Sequence, residues 1–198
     1  MSARSVTPAP DDLAKSVSAA AKSGRKGPPP VHLWNPPYCG DLDIRIARNG
    51  QWFYLGSPIG RIPLVKLFAS VLKKEDGRHY LVTPVEKIGI TVDDAPFVAV
   101  DFRAEGEGRA QVLTFETNVG DETVAGPENP IRVERDPETG EPSPYVHVRR
   151  GLEALIDRKS YYRLVELGAM EEGEAGREFG LWSAGVFFAI CPAAELGL

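Results

Sequence analysis

The sequence predicts an α+β protein of two domains with a duplicated strand-helix-strand core. Three observations support this class. First, 20 glycines and 17 prolines among 198 residues predict many turns and short elements, which excludes a long coiled coil or a simple helical bundle. Second, several short segments alternate apolar and polar residues, as half-buried strands do. Third, the same order of predicted elements recurs about 100 residues further along the chain.

The first predicted element is a β-hairpin over residues 42–55. Apolar residues alternate with polar ones over 42–46, and Asn49-Gly50 separates them from the aromatic segment Trp52–Tyr54. An Asn-Gly pair favours a type I′ turn, because both central residues of that turn need a positive φ. We therefore expect two antiparallel strands joined by a type I′ turn.

A short helix is predicted next, over Pro63–Leu72. Proline suits the first turn of a helix, where a backbone N–H has no intrahelical partner. The apolar residues of this segment recur with helical spacing and form one face: Leu64, Leu67, Phe68, Val71 and Leu72. Asp76-Gly77 then predicts a turn into a strand over Tyr80–Thr83.

The third observation, the repeat, rests on three pairs of positions. Their separations are 101, 100 and 99 residues, for Gly50 and Gly151, Leu64 and Leu164, and Tyr80 and Phe179. The repeat predicts that the Asn49-Gly50 hairpin and the region Tyr145–Leu155 occupy equivalent positions, before matched helices at Pro63–Leu72 and Arg158–Leu167. A further hairpin is predicted around Glu105–Gly108, so the second half holds more strands than the first.

The chain is expected to divide into a disordered N-terminal tail (1–30), a first α+β domain (31–89) and a second domain (90–198). The tail carries five basic residues against two acidic ones and ends in three prolines. Such a segment is either a solvated extension or an arm that touches nucleic acid or a membrane surface.

Charge and composition exclude several classes of protein. The formal charge of −5 argues against binding to a nucleic acid polymer, because no net positive field attracts phosphates. Two cysteines and three scattered histidines lack metal-ligand spacing, so no metal site is predicted. The apolar run 184–194 is too short to span a membrane. We expect a cytoplasmic protein in which Cys39 and Cys191 are not bonded to each other.

Two acidic motifs are better explained as turns than as functional sites. Gly106-Glu107-Gly108 lacks the third glycine of a dinucleotide loop and is read as a hairpin turn. Asp93-Asp94 is either a carboxylate pair or a turn before Pro96, and adjacent residues on extended backbone point to opposite faces, which favours the turn.

The segment Trp34–Asp41 is the strongest candidate for a site. It places an aromatic ring, an amide and a thiol beside a double proline. Trp34 either stacks on a ring of a ligand or packs into the core; Asn35 is suited to read a ligand's polar edge, and Cys39 to act as a nucleophile or redox sensor.

At these residues the sequence resembles the mainly proteobacterial family called domain of unknown function 1285. The resemblance covers essentially everything after Pro30, and its motifs are the segments Trp34–Gly40, Trp52–Gly56, Pro58–Arg61, Tyr80–Lys87, Pro144–Arg149 and Tyr161–Glu166. It implies a duplicated α+β core, a second domain similar to a pleckstrin-homology barrel, and a ligand site at the domain interface for a nucleotide-like compound in signalling. It implies no catalytic residues.

Two cations suit such a ligand. Arg61 precedes the predicted helix and either forks onto phosphate oxygens or pairs with acidic neighbours on the surface, and Lys87 supplies a point charge. The ligand-binding candidates are therefore Trp34, Asn35, Cys39, Arg61 and Lys87.

We expect a small-molecule-binding module. The alternatives are a thiol enzyme, with Cys39 as nucleophile and His32 or His147 as base, or a protein-interaction domain. The sequence identifies no cofactor.

Overall fold

The computed structural model describes residues 15, 17–19, 29–173 and 176–196. The chain forms two compact units, Met1–Asp94 and Ala95–Leu198. The predicted tail, residues 1–30, lies almost entirely outside the described residues. The domain boundary that we predicted after residue 89 falls within a strand of the first unit. No helix of the described segments is long and apolar enough to cross a membrane.

The first unit contains a six-stranded sheet and a helix that joins two of its strands. Its strands are β1 (Tyr38–Ile46), β2 (Trp52–Tyr54), β3 (Ser57–Pro58), β4 (Leu72–Glu75), β5 (Arg78–Val82) and β6 (Lys87–Val92). Helix α1 (Ile62–Ser70) connects β3 to β4. The strand order is β3-β2-β1-β6-β5-β4, so two antiparallel three-stranded meanders meet through the parallel pair β1 and β6.

The second unit holds a second six-stranded sheet, one helix and a three-stranded sheet. The larger sheet contains β7 (Phe97–Glu105), β8 (Val112–Thr117), β9 (Glu122–Val124), β10 (Ile131–Arg135), β11 (Pro142–Arg149) and β12 (Leu152–Ile156). Helix α2 (Arg158–Val165) follows, and then come β13 (Ala169–Gly173), β14 (Gly176–Ser183) and β15 (Val186–Pro192). The orders are β10-β11-β12-β7-β8-β9 and β13-β14-β15.

The two large sheets are similar in topology. Numbered within its own unit, each has the order 3-2-1-6-5-4, with the first and last strands paired in parallel. By this order the β1–β2 hairpin corresponds to β7–β8. The predicted equivalence with the region Tyr145–Leu155 is therefore wrong: that region forms β11 and β12, and α2 follows the sixth strand whereas α1 follows the third.

The fold is mostly β, not the α+β balance that we predicted. Besides the helical residues 15 and 17–19, the described residues contain two short α-helices and fifteen strands. The reason lies in the X-Gly pairs, because the type I′ geometry matches the twist of paired strands and makes hairpins. Asp76-Gly77 is such a turn, with φ values of +48° and +78°, and it joins Glu75 to Arg78.

The β1–β2 hairpin is confirmed, but its predicted turn type is wrong. Gly50 has a φ of +80°, whereas Asn49 has no positive φ. The Gly50 N–H donates to the Ala47 carbonyl, and the Ala47 N–H donates to the Gln51 carbonyl. This arrangement is a type I turn followed by a left-handed glycine, which the same Asn-Gly sequence also permits.

Helix α1 covers one face of the first sheet. Its buried residues Leu64, Val65, Phe68 and Ala69 lie on one side, and the Phe68 ring centroid is 6.2 Å from that of Trp52. The helix ends at Ser70, earlier than predicted, because Leu72 enters β4 and pairs with Leu81.

The second large sheet curls, and one of its edges meets β11. The Thr123 hydroxyl in β9 donates to the His147 carbonyl in β11, at 3.2 Å, although four strand positions separate β9 and β11 in the sheet. Arg149 and Asp121 form an ion pair across the same approach. A strongly twisted sheet closes on itself in this way.

Candidate functional site

The face of the first sheet opposite α1 carries polar and aromatic side chains. Lys73, Tyr80, Gly89 and Asp41 lie directly opposite one another on successive strands β4, β5, β6 and β1, and residues in such a row share one face. Leu72, Leu81 and Ile88, one position along each strand, point to the α1 side. We call the following set the polar face: Tyr38, Asp41, Lys73, Glu75, Arg78, Tyr80 and Lys87.

Two lysines share one carboxylate on this face. The Lys73 ammonium lies 2.6 Å from Glu75 Oε1, and the Lys87 ammonium lies 2.8 Å from Glu75 Oε2. All three side chains are half-buried, with exposed fractions of 19%, 28% and 18% for Lys73, Glu75 and Lys87. Hydrogen bonds from Lys73 and Lys87 lower the pKa of Glu75, and its carboxylate raises the pKa of Lys87. The cluster carries one net positive charge.

The Trp34 backbone joins this cluster. Lys73 Nζ donates to the Trp34 carbonyl at 3.0 Å, so Trp34 and the predicted residue Lys87 are connected through Lys73 and Glu75. The segment is anchored by Val31 and Pro36, which are buried on either side of Trp34. Trp34 itself is only half-buried, so its indole is not a core residue.

Tyr80 lies at the centre of the polar face. The Lys87 ammonium is 5.1 Å and the Arg78 guanidinium carbon is 5.6 Å from the centroid of its ring. Tyr38 meets the same ring edge to face, with centroids 6.2 Å apart and planes at 85°. Cations over an aromatic face are attracted by its quadrupole, so Tyr80 holds both cations near the sheet.

A glycine makes room for an ion pair beside Tyr80. Arg78 Nη2 lies 2.9 Å from Asp41 Oδ1, and a Cβ on Gly89 would come within 1.9 Å of that same oxygen. Asp41 also accepts a hydrogen bond from Tyr38 and raises the pKa of that phenol. The carboxylate therefore lies directly over β6, where any larger residue would displace it.

Strand β1 bulges where it leaves this ion pair. Tyr38 pairs with Lys87 and Arg45 with Thr91, so between these two pairs β1 advances by seven residues and β6 by only four. The bulge borders a cavity of about 350 Å³, lined by Asp41, Leu42, Gly77, Arg78, His79, Gly89, Ile90, Thr91 and Val92. His79 is 9% exposed, and its Nε2 is buried with no hydrogen-bond partner among the described residues. Burial lowers its pKa to about 4.

The other predicted ligand-binding residues are more dispersed. Asn35 and Cys39 are exposed, and the Cys39 thiol donates to the Pro37 carbonyl at 3.4 Å. Arg61 is exposed and precedes α1, and α1 covers the face of the sheet opposite Lys87. Residues 60–64, which include Arg61, and Leu67 line an apolar depression of about 500 Å³. The structure does not bring Arg61 to the polar face.

The two histidines proposed as bases for a thiol enzyme, His147 and His32, lie in different environments. The His147 Nδ1 lies 2.8 Å from Asn129 Oδ1, and its Nε2 accepts from the Gly151 N–H at 3.0 Å, so both ring nitrogens are engaged within the second unit. His32 is exposed in the 3₁₀ turn Val31–Leu33. Both Cys39 and Cys191 are free thiols. Among the described residues, no three metal-ligating side chains form a group.

Sequence reasoning missed Lys73, Glu75, Arg78 and Tyr80. Their signal was available, because these polar residues occupy alternate positions on both sides of the Asp76-Gly77 turn. That spacing places all four on one face of a hairpin.

Comparison with known proteins identifies the family. The family domain described as "Domain of unknown function (DUF1285), N-terminal domain" matches residues 29–95, and "Protein of unknown function (DUF1285), C-terminal domain" matches residues 96–190. The chain belongs to the DUF1285 family. The two matches divide this DUF1285 protein next to the boundary between its compact units.

Solved structures of the family are similar to this chain. A DUF1285 family protein from Silicibacter pomeroyi DSS-3 is 59% identical, with 96% of this chain and 98% of that chain covered and a TM-score of 0.87. A DUF1285 family protein from Shewanella baltica OS155 is 31% identical over 62% of this chain and 90% of that chain, with a TM-score of 0.49. No curated protein matches the chain.

Proposed function

We propose that this DUF1285 protein is a cytoplasmic small-molecule-binding protein, with a role in signalling, and that the polar face of its first unit binds a phosphate-bearing, nucleotide-like ligand. The observation that carries the proposal is the pair of lysines that share Glu75 beside the rings of Tyr80 and Tyr38. Ammonium groups bind phosphate oxygens as point charges, and aromatic faces stack on bases.

The site consists of Trp34, Lys73, Arg78, Tyr80 and Lys87. The lysines are held by Glu75 and the Trp34 carbonyl, so little side-chain entropy is lost when they bind an anion. Trp34 is half-buried, and its backbone carbonyl is bound to Lys73. Asn35 and Cys39 border this segment and contribute polar contacts at its rim.

A thermal-shift screen of nucleotides and dinucleotides tests the proposal. A ligand at a hundredfold excess over its dissociation constant stabilises the folded state by about 2.7 kcal/mol. At roughly 2 to 4 °C per kcal/mol for a chain of this length, the midpoint rises by about 5 to 10 °C. If no compound in the library stabilises the protein, the proposed function is rejected.

Matched variants locate the site. Lys87→Ala should abolish most of the ligand-induced shift, because it removes one of the two ammonium groups. Arg61→Ala is the control, because it removes an exposed cation on the α1 side of the sheet. If Arg61→Ala removes the shift and Lys87→Ala leaves it, the ligand binds at the start of α1 and the polar face is not the site.

The thiol-enzyme alternative has less support. The Cys39 thiol donates a hydrogen bond to the Pro37 carbonyl, and both ring nitrogens of His147 are engaged by Asn129 and the Gly151 N–H, so neither is arranged as half of a nucleophile–base pair. We favour a binding module over an enzyme for this reason.

We further propose that the second unit is a pleckstrin-homology-like barrel. The curled sheet supports this, since Thr123 of the edge strand β9 reaches the backbone of His147 in β11, and α2 follows β12 directly. Superposition of an experimental structure of this unit on pleckstrin-homology domains tests the assignment, and a different strand connectivity would reject it.

A further inference from the structure

Glu75 occupies the position between two ammonium groups where an anion would bind. Each of its carboxylate oxygens lies next to a different lysine, at 2.6 Å from Lys73 and 2.8 Å from Lys87. The two oxygens therefore mark where two anionic oxygens on one central atom are held. A phosphoryl group offers the same arrangement with more negative charge.

Each lysine has a second partner besides Glu75. Lys73 is also bound to the Trp34 carbonyl, and Lys87 also lies over the Tyr80 ring. Glu75 is the last residue of the edge strand β4, with its backbone fixed opposite Arg78 next to the turn. Its side chain is 28% exposed, so rotation about its own bonds moves the carboxylate into solvent without a change of the sheet.

We propose that Glu75 is an internal occupant of the anion site, which holds Lys73 and Lys87 together in the free protein and is displaced when a phosphate-bearing ligand binds. The inference rests on the proposed function and specifies how the site is regulated. An intramolecular carboxylate competes at a high effective concentration, so it sets a threshold that weakly charged anions do not exceed. Glu75 thereby lowers the apparent affinity of every anion by the same factor, so only an anion held strongly by both lysines, such as a phosphoryl group, occupies the site at low concentration.

This mechanism predicts that loss of a residue in the site strengthens binding. Glu75→Gln keeps the shape of the side chain but removes the competing charge. Inorganic pyrophosphate should then bind about tenfold more tightly, or more, because no carboxylate competes with it for the two ammonium groups. The affinity for acetate should rise by the same factor, because acetate must displace the same carboxylate in the wild type.

Isothermal titration at constant ionic strength, with pyrophosphate as the ligand, measures the affinity of the wild type and of Glu75→Gln. Glu134→Gln is the matched control: it raises the net charge by the same amount, but Glu134 pairs with Arg132 in the second unit. The inference requires tighter binding by Glu75→Gln and unchanged binding by Glu134→Gln. Equal gains in the two variants would indicate a non-specific charge effect and overturn it.

Failure of this inference is distinguishable from failure of the proposed function. If the wild type binds pyrophosphate and Glu75→Gln binds equally or more weakly, Glu75 is not a competitor, while the anion site stands. If neither protein binds, both proposals are rejected.

A measurement on the wild type covers the case in which Glu75→Gln does not fold. The two lysines lower the pKa of Glu75 in the free protein. Carboxyl NMR at saturating pyrophosphate should show this pKa moved upward, towards its ordinary value, because the carboxylate has left the lysines. An unchanged Glu75 pKa in the bound protein would overturn the displacement.

Discussion

His79 should make the first unit sensitive to acid. The imidazole is 9% exposed on the α1 side of β5, and burial followed by repulsion from Lys74 lowers its pKa from 6.5 to about 4. In the unfolded chain the same group takes up a proton at its ordinary pKa. The folded state therefore resists a proton that the unfolded state accepts.

The magnitude follows from proton linkage. Above pH 6.5 both states are neutral and His79 contributes no pH dependence. As the pH falls from 6.5 towards 4, only the unfolded state is protonated, so the free energy of unfolding decreases by about 1.4 kcal/mol per pH unit. The total loss reaches about 3 kcal/mol near pH 4 and then levels off, because the folded state is protonated as well.

The perturbation is His79→Leu, which is neutral at every pH. At pH 7 the free energy of unfolding of the variant should lie within about 1 kcal/mol of the wild-type value, since Nε2 of the lost imidazole has no hydrogen-bond partner among the described residues. At pH 4.5 it should be more stable than the wild type by about 2 to 3 kcal/mol. Carboxylates such as Glu75 are present in both proteins, so their contributions cancel in the difference between the two free energies of unfolding.

Urea unfolding at several pH values, followed by tryptophan fluorescence, provides the measurement. Trp34 and Trp52 report on the first unit, and a Trp182→Phe background removes the tryptophan of the second unit. NMR titration of the His79 ring checks the midpoint directly. A midpoint above pH 6, or an equal loss of stability on acidification in the wild type and His79→Leu, would refute the reasoning.

Three further predictions test the packing and the hydrogen bonds. Gly180→Ala should destabilise the protein by about 1 to 3 kcal/mol in chemical unfolding, because the new Cβ would lie 2.3 Å from the Phe188 carbonyl oxygen. Gly89→Ala should cost less than about 1 kcal/mol, since it displaces only the exposed Asp41 carboxylate; an equal cost at both glycines would contradict this. A disulfide-exchange reagent should label exposed Cys39 quickly and buried Cys191 slowly in native protein, because burial raises the pKa of the Cys191 thiol; equal rates would contradict the placement.

The sequence predicts local features of this fold well. The β1–β2 hairpin and the strand that contains Tyr80 follow from alternation and X-Gly pairs, which act over a few residues. The end of α1 was misplaced because Val71 and Leu72 continue the apolar spacing of the helix, although Leu72 instead pairs with Leu81 in β4. That competition is decided by tertiary pairing and not by the pattern.

The repeat was misaligned for a similar reason. The Leu64 and Leu164 segments match because both are amphipathic helices, and helical spacing recurs without a shared position in the sheet. The true similarity lies in strand order, which depends on the parallel pairing of β1 with β6 and of β7 with β12. These contacts join residues about 50 positions apart, and no local pattern encodes them.

The same long-range pairing creates the polar face. Glu75, Arg78 and Tyr80 come from one hairpin, but Lys87 and Tyr38 join them only because β6 lies between β5 and β1. Stability alone does not require this arrangement, since apolar side chains of similar volume cover a sheet at least as stably as a partly buried set of charges. Lys73 and Lys87 pair with a single carboxylate, so one positive charge remains without an equal countercharge in the cluster. That residual charge, next to the Tyr80 ring, is what the proposed anionic ligand would neutralise.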